Sequence, residues 1–98
     1  MATPEAKVKA KVKKVLTDIG AYYAMPIGTG YGNAGVPDFV VCYKGEFIGI
    51  ECKAQGNKPT ALQLKNLQDI EIAGGRSFVI DETNVDQLLE KLTKEIVK

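Results

Sequence analysis

The stretch GVPDFVVCYKGEFIGIECK, Gly35 to Lys53, decides how this 98-residue chain folds. It reads as two apolar strands, 37–43 and 46–53, joined at Lys44-Gly45. A two-residue turn there pairs Tyr43 with Glu46. A four-residue loop pairs Cys42 with Phe47, which is the same register. Counting back, Phe39 opposes Ile50 and Asp38 opposes Glu51. Directly opposed residues share a face, with Cβ atoms roughly 5 Å apart. Lys53, two residues beyond Glu51, lies on that face too. A three-residue turn would instead put Asp38 and Glu51 on opposite faces.

Charges grouped this way do not help a hairpin to fold. Two opposed carboxylates repel, or one is forced to keep its proton. A hard divalent cation removes the penalty, since such ions take oxygen ligands, often one or two carboxylates with water and phosphate. The backbone carbonyl of Cys52, between Glu51 and Lys53, offers a third oxygen. The set Asp38, Glu51, Cys52 carbonyl and Lys53 suits phosphodiester hydrolysis, with Lys53 orienting water or neutralising charge. The alternatives are a surface salt bridge among the three side chains, or an Asp38 that merely opens its strand after Pro37. The same register places Cys42 on the Asp38 face and Cys52 on the other face, well along the hairpin. A disulfide needs Cα atoms within roughly 7 Å, so none is expected, and both thiols read as small core residues.

Outward from the hairpin the elements alternate. Thr3-Pro4-Glu5 opens a helix, with Thr3 as cap and Pro4 at its first position. Val8, Val12, Val15, Leu16 and Ile19 form its apolar stripe, and Gly20 ends it. AYYAM, 21–25, is a short strand before Pro26. IGTGYGNAG, 27–35, is a Gly-rich loop that matches neither phosphate-loop nor dinucleotide patterns. Thr60 starts a second helix with Leu64, Leu67 and Ile70 on one face, running to Gly74-Gly75. RSFVI, 76–80, is a fourth strand. A last helix starts near Val85, capped by Thr83 or Asn84, with Val85, Leu88, Leu89, Leu92 and Ile96 in its stripe. The expected fold is one α/β domain over residues 1–98 in the order αβββαβα.

Two polar residues on these helices have two readings each. Gln63, three residues after Thr60, can close a capping box, or face the sheet and reach Glu51, Lys53 or a phosphate. Glu5 suits the positive end of its helix dipole, or supplies a third carboxylate to a metal, through water. Phosphate contacts are open to Lys9, Lys13, Lys58, Thr60, Lys65 and Arg76, with Thr29 nearby in the Gly-rich loop. Tyr31 in that loop could stack on a base or sugar.

Composition narrows the chemistry. There is no His, which excludes Ser-His-Asp and Cys-His catalysis and the usual zinc sites. The net charge is +1, yet residues 1–20 carry five Lys against two acids and residues 81–98 carry five acids against three Lys. The basic end can meet a polyanion or simply face solvent. No apolar run is long enough to span a membrane, and the polar, Lys-rich start has no signal-peptide pattern. A soluble, cytoplasmic protein is expected.

The residues GVPD, twelve more, then ECK, in an αβββαβα order, resemble the PD-(D/E)xK nuclease superfamily. More narrowly, VPDF and IECKAQGNKPTALQLKNLQDIEIAGG resemble the virus-type replication-repair nuclease (VRR-NUC) domain, most densely over Gly35 to Gly75. The resemblance implies a restriction-endonuclease-like core, a mixed four-stranded sheet flanked by helices. It implies that Asp38, Glu51 and the Cys52 carbonyl bind Mg²⁺ or Mn²⁺, and that Lys53 acts on water or phosphate. Gln63 matches the family's helix Gln, and Glu5 the acid on its first helix. Small stand-alone members imply a homodimer acting on branched DNA, such as four-way (Holliday) junctions, in a bacterial cell or a phage-infected host. Against this metal-dependent endonuclease stand a DNA-binding module that keeps the fold without cutting and an interaction subunit whose acids are incidental.

Overall fold

A computed structural model describes residues 2–27 and 35–94. The first helix, α1 (Pro4–Asp18), begins as its sequence dictates. Thr3 Oγ1 accepts from the Ala6 N–H at 3.0 Å, and Pro4 occupies the first turn. The helix buries Val8, Val12 and Leu16, while Val15 and Ile19 pack at the margin. Gly20, at φ +74°, turns the chain out of it.

Strands β1 (Tyr22–Ala24), β2 (Phe39–Tyr43), β3 (Glu46–Cys52) and β4 (Arg76–Ile80) form one sheet in the order β1-β2-β3-β4. The first three run antiparallel and β4 lies parallel to β3, so the sheet is mixed. The predicted hairpin register holds, from Tyr43 opposite Glu46 to Phe39 opposite Ile50. Lys44 and Gly45 both take positive φ, 50° and 80°. That backbone matches the right-handed twist of the strands and fixes a two-residue connection. Parallel β4 requires a crossover, which α2 (Ala61–Ile72) supplies.

Alternation along the strands sorts the sheet into two faces. Phe39, Val41, Ile48, Ile50, Cys52 and Ile80 point to one side. There they pack with α1, with Val85 of the 3₁₀ turn Val85–Gln87, and with Leu88 and Leu92 of α3 (Leu88–Thr93). On the opposite face α2 approaches the β3–β4 half of the sheet closely. A Cβ on Gly49 would sit 2.5 Å from Ile70 Cδ1 and 3.2 Å from the Pro37 ring, so a larger residue there would have to push the Ile70 side chain aside.

Four expectations about packing need correction, the first being Leu89, expected in the apolar stripe of the last helix but 48% exposed. Leu64 is exposed, because α2 seats Leu67 and, partly, Ile70 on the sheet and turns Leu64 outward. Cys42 is exposed, because α2 covers the β3–β4 half of its face and not β2; Cys52 is buried, and both are free thiols. Neither Thr83 nor Asn84 caps the last helix with its side chain. The Asn84 amide is committed elsewhere, accepting from the Asp81 N–H at 2.8 Å and donating to the Val79 carbonyl at 3.0 Å. The chain enters α3 through the 3₁₀ turn instead. Ile96 lies outside the described residues, as do Thr29 and Tyr31. Among the described residues no helix is long and apolar enough to cross a membrane.

Candidate active site

The last laddered pair of the hairpin is Phe39–Ile50, and the chain bends at Asp38. With Pro37 against Gly49, the segment leaves the ladder before it can pair with Cys52. Asp38 substitutes for the missing strand. Its Oδ2 accepts from the Cys52 backbone N–H at 2.8 Å. Within an antiparallel ladder a residue directs its N–H and C=O toward the same neighbour. The Lys53 N–H, one residue on, goes the other way, to the Ile80 carbonyl at 2.9 Å. The Cys52 carbonyl therefore faces the Asp38 side, where the sequence expects a third oxygen ligand.

Glu51 is 2% exposed, the one buried charged residue among those described. Its Oε2 lies 3.4 Å from Lys53 Nζ, and its Oε1 is buried with no hydrogen-bond partner. Burial, then the neighbouring Asp38 carboxylate, push the Glu51 pKa up to about 7; Lys53 opposes the shift without cancelling it. A buried carboxylate oxygen with nothing to satisfy it is costly and rare in folded proteins. Here it lies near the Asp38 carboxylate, at the end of a strand. That donor set, hard oxygens with one lone pair open, fits a Mg²⁺ or Mn²⁺ ion. Glu51 pairs with Val79 of β4, so the sheet fixes its backbone. Among the described residues no three His, Cys, Asp or Glu side chains are already gathered around one point. The fit rests on two side chains and the backbone.

Glu5 stands one step away. Lys9 Nζ bridges it to the site, 3.6 Å from Glu5 Oε2 and 3.5 Å from Asp38 Oδ1. Partial burial works against the Lys9 ammonium, but Asp38 and then Glu5 outweigh it and hold its pKa above the usual lysine value. The same cluster acts on Cys52. Burial, then Asp38 and Glu51, push its thiol up to about 12, which leaves it an inert packing group.

The structure separates the remaining candidates. Gln63 closes a complete capping box: its Oε1 accepts from the Thr60 N–H at 2.9 Å, and the Thr60 hydroxyl accepts from the Gln63 N–H at 3.2 Å. Its amide nitrogen has no partner among the described residues. Lys65 pairs with Asp69 on the surface at 2.9 Å. Lys13 and Lys58 are exposed. Arg76 is the clearest departure from expectation. It pairs with Glu46 at 2.6 Å, donates to the carbonyls of Lys91 and Leu92, and lies over the Phe78 ring. In the β3–β4 register it stands beside Ile48, three positions before Glu51, and it ties β4 to β3 and α3. These partners make it a structural clasp between the strands and the last helix.

Two contributors escaped the sequence reading. Pro37 ends the ladder, which frees the Cys52 N–H for Asp38; its signal was its place directly before Asp38. Lys9, expected as a phosphate contact, bridges Glu5 and Asp38. Its spacing of four residues from Glu5 was the available signal.

With this geometry in hand, the comparisons are specific. No family model matches the chain. A solved structure described as a VRR_NUC domain superposes with a TM-score of 0.76 at 27% identity, covering 91% of this chain and 97% of that one. A protein named "Putative nuclease p44", from Acyrthosiphon pisum secondary endosymbiont phage 1, is 37% identical over 59 residues. That match spans 59% of this chain and 63% of the relative's length, short of two thirds. The chain has the VRR-NUC fold, a mixed four-stranded α/β sheet flanked by helices, and carries the PD…ExK pattern at Asp38, Glu51 and Lys53.

Proposed function

We propose that the chain is a metal-dependent DNA endonuclease that hydrolyses phosphodiester bonds, selective for branched DNA such as four-way junctions. The observation that carries this reading is the unpartnered, buried Oε1 of Glu51 beside Asp38, with Lys53 against the same carboxylate. Folding alone gains nothing from that arrangement, and binding DNA does not require it.

Asp38, Glu51 and the Cys52 carbonyl would hold Mg²⁺ or Mn²⁺. Such an ion, when bound, lowers the pKa of water and withdraws charge from a phosphate oxygen. Lys53, anchored by Glu51 and only 14% exposed, places an ammonium where charge accumulates on the scissile phosphate. Asp38, tied to the Cys52 N–H, keeps one oxygen fixed while the other faces the site. Gln63 remains a candidate through its amide nitrogen, which can reach a phosphate without breaking the capping box. Glu5 would act through water. Lys13, Lys58 and the hydroxyl of Thr60 are candidates for backbone contacts outside the cut, with Thr29 and Tyr31 as the loop's contribution. The small size and the family resemblance support a homodimer acting in the cytoplasm of a bacterial or phage-infected cell. A monomer mass by light scattering at micromolar concentration overturns the dimer.

The enzyme reading is tested by incubating the protein with linear duplex, flap and four-way DNA in Mg²⁺, Mn²⁺ or EDTA. Cutting that needs the metal and favours the four-way substrate is expected. No metal-dependent cutting of any substrate refutes the enzyme, and equal cutting of all three refutes the selectivity.

A further inference from the structure

Lys9 reaches across from α1 to the sheet. Its ammonium sits 3.6 Å from Glu5 and 3.5 Å from Asp38, the two acids expected toward the metal. Surface pairs of the same chain are tighter, 3.0 Å for Lys14–Asp18 and 2.9 Å for Lys65–Asp69. Lys9 is thus shared between two carboxylates and fully committed to neither. Oδ2 of Asp38 is already held by the Cys52 N–H. Oδ1, the oxygen left for a metal, is the one Lys9 faces. A lysine ammonium is a compact charge on a flexible four-carbon stem, and at 33% exposure this one has a path to solvent.

We propose that Lys9 is a built-in placeholder cation, bridging Glu5 and Asp38 while no metal is bound and leaving Asp38 when a divalent cation enters. This deepens the metal-site reading and rests on it. Lys9 is a positioning residue: it keeps the acids together in the metal-free protein and weakens the site's intrinsic affinity for cations. A lysine that only contacts DNA would leave metal affinity unchanged, and one that only props up the fold would weaken it on removal.

Calorimetric titration of Mn²⁺ into the full chain without DNA separates these roles. Lys9→Met is expected to tighten Mn²⁺ binding about fivefold, the size of two partly exposed ion pairs. Lys9→Arg keeps the charge and should stay within about twofold of wild type on the same scale. Lys11→Met, on an exposed position without a carboxylate partner among the described residues, should leave the affinity unchanged. Reductive methylation of wild type, read by mass spectrometry, guards against a misfolded variant: Lys9 should be modified faster with Mn²⁺ than without. Unchanged or weaker Mn²⁺ binding by a folded Lys9→Met overturns the placeholder, as does Lys9 methylation indifferent to Mn²⁺. If wild type itself binds no Mn²⁺, the metal site falls and the placeholder with it.

Discussion

The backbone N–H of Cys52 donates to Oδ2 of Asp38 at 2.8 Å, so a side chain completes the ladder where β2 stops. One carboxylate thus has a structural and a chemical duty at once. Asp38→Asn separates them. The amide oxygen can still accept from Cys52, and the loss of a charge beside Glu51 relieves repulsion. We expect thermal stability without metal to be unchanged or slightly raised, while metal-dependent cleavage falls at least about a hundredfold. Asp38→Ala should lower stability as well, by about 1–3 kcal/mol, because the buried N–H loses its acceptor. Thermal unfolding and single-turnover cleavage of both variants check this.

Glu51 gives the metal-free protein a pH dependence with a definite sign. Its pKa rises from 4.5 in the unfolded chain to about 7 in the fold. Between those values the native state binds more protons than the unfolded state, so stability falls as pH rises. The contribution is fully present below 4.5 and is lost by the time pH passes about 7. At about 1.4 kcal/mol per unit, the loss is about 3 kcal/mol at most. Denaturant unfolding across this range should show the decline, Glu51→Gln should flatten it, and saturating Mn²⁺ should oppose it. A wild-type stability that rises over the same interval contradicts the buried, unsatisfied carboxylate.

Arg76 should behave as a clasp. Arg76→Ala removes the pair with Glu46 and two bonds to carbonyls of the last helix. We expect a loss of about 1–3 kcal/mol in unfolding free energy. Below the unfolding temperature, affinity for four-way DNA should be unchanged in a gel-shift measurement. A large loss of DNA affinity in a folded variant would return Arg76 to the interface.

Gln63 and Thr60 form a reciprocal capping pair at the start of α2. Gln63→Ala and Thr60→Ala should each cost about 1 kcal/mol by thermal unfolding. If Gln63 also meets a phosphate, only its variant should lose cleavage rate beyond what stability explains. Gln63→Glu, which preserves the acceptor but not the amide donors, isolates that second effect.

The hairpin could be read from sequence because two independent signals agreed. Alternating apolar residues require one register, and Lys44-Gly45 supplies a turn of the matching length. Glu51 lies on the register so read, whereas Asp38 leaves the ladder and bonds the Cys52 N–H instead of standing opposite Glu51. Other features depend on neighbours that local pattern does not reveal. Lys9 turns inward because α1 crosses the sheet near Asp38, a tertiary fact. Arg76 is taken by Glu46 because β4 runs parallel to β3 and sets Arg76 beside Ile48, two residues from Glu46. Cys42 stays exposed because one helix covers only half of that face, and Leu64 because that helix turns it outward. For Gln63, capping and facing the sheet demand the same helix position, so spacing cannot choose between them.

The central claim is that Asp38, Glu51 and Lys53 form a metal-dependent phosphodiesterase site. The most direct measurement is single-turnover cleavage of a labelled four-way junction by wild type and Lys53→Ala, in Mg²⁺ and in EDTA. Wild type should cut in Mg²⁺ and not in EDTA, and Lys53→Ala should lose that cutting without loss of fold. Undiminished cutting by Lys53→Ala, or cutting by wild type that persists in EDTA, would contradict it.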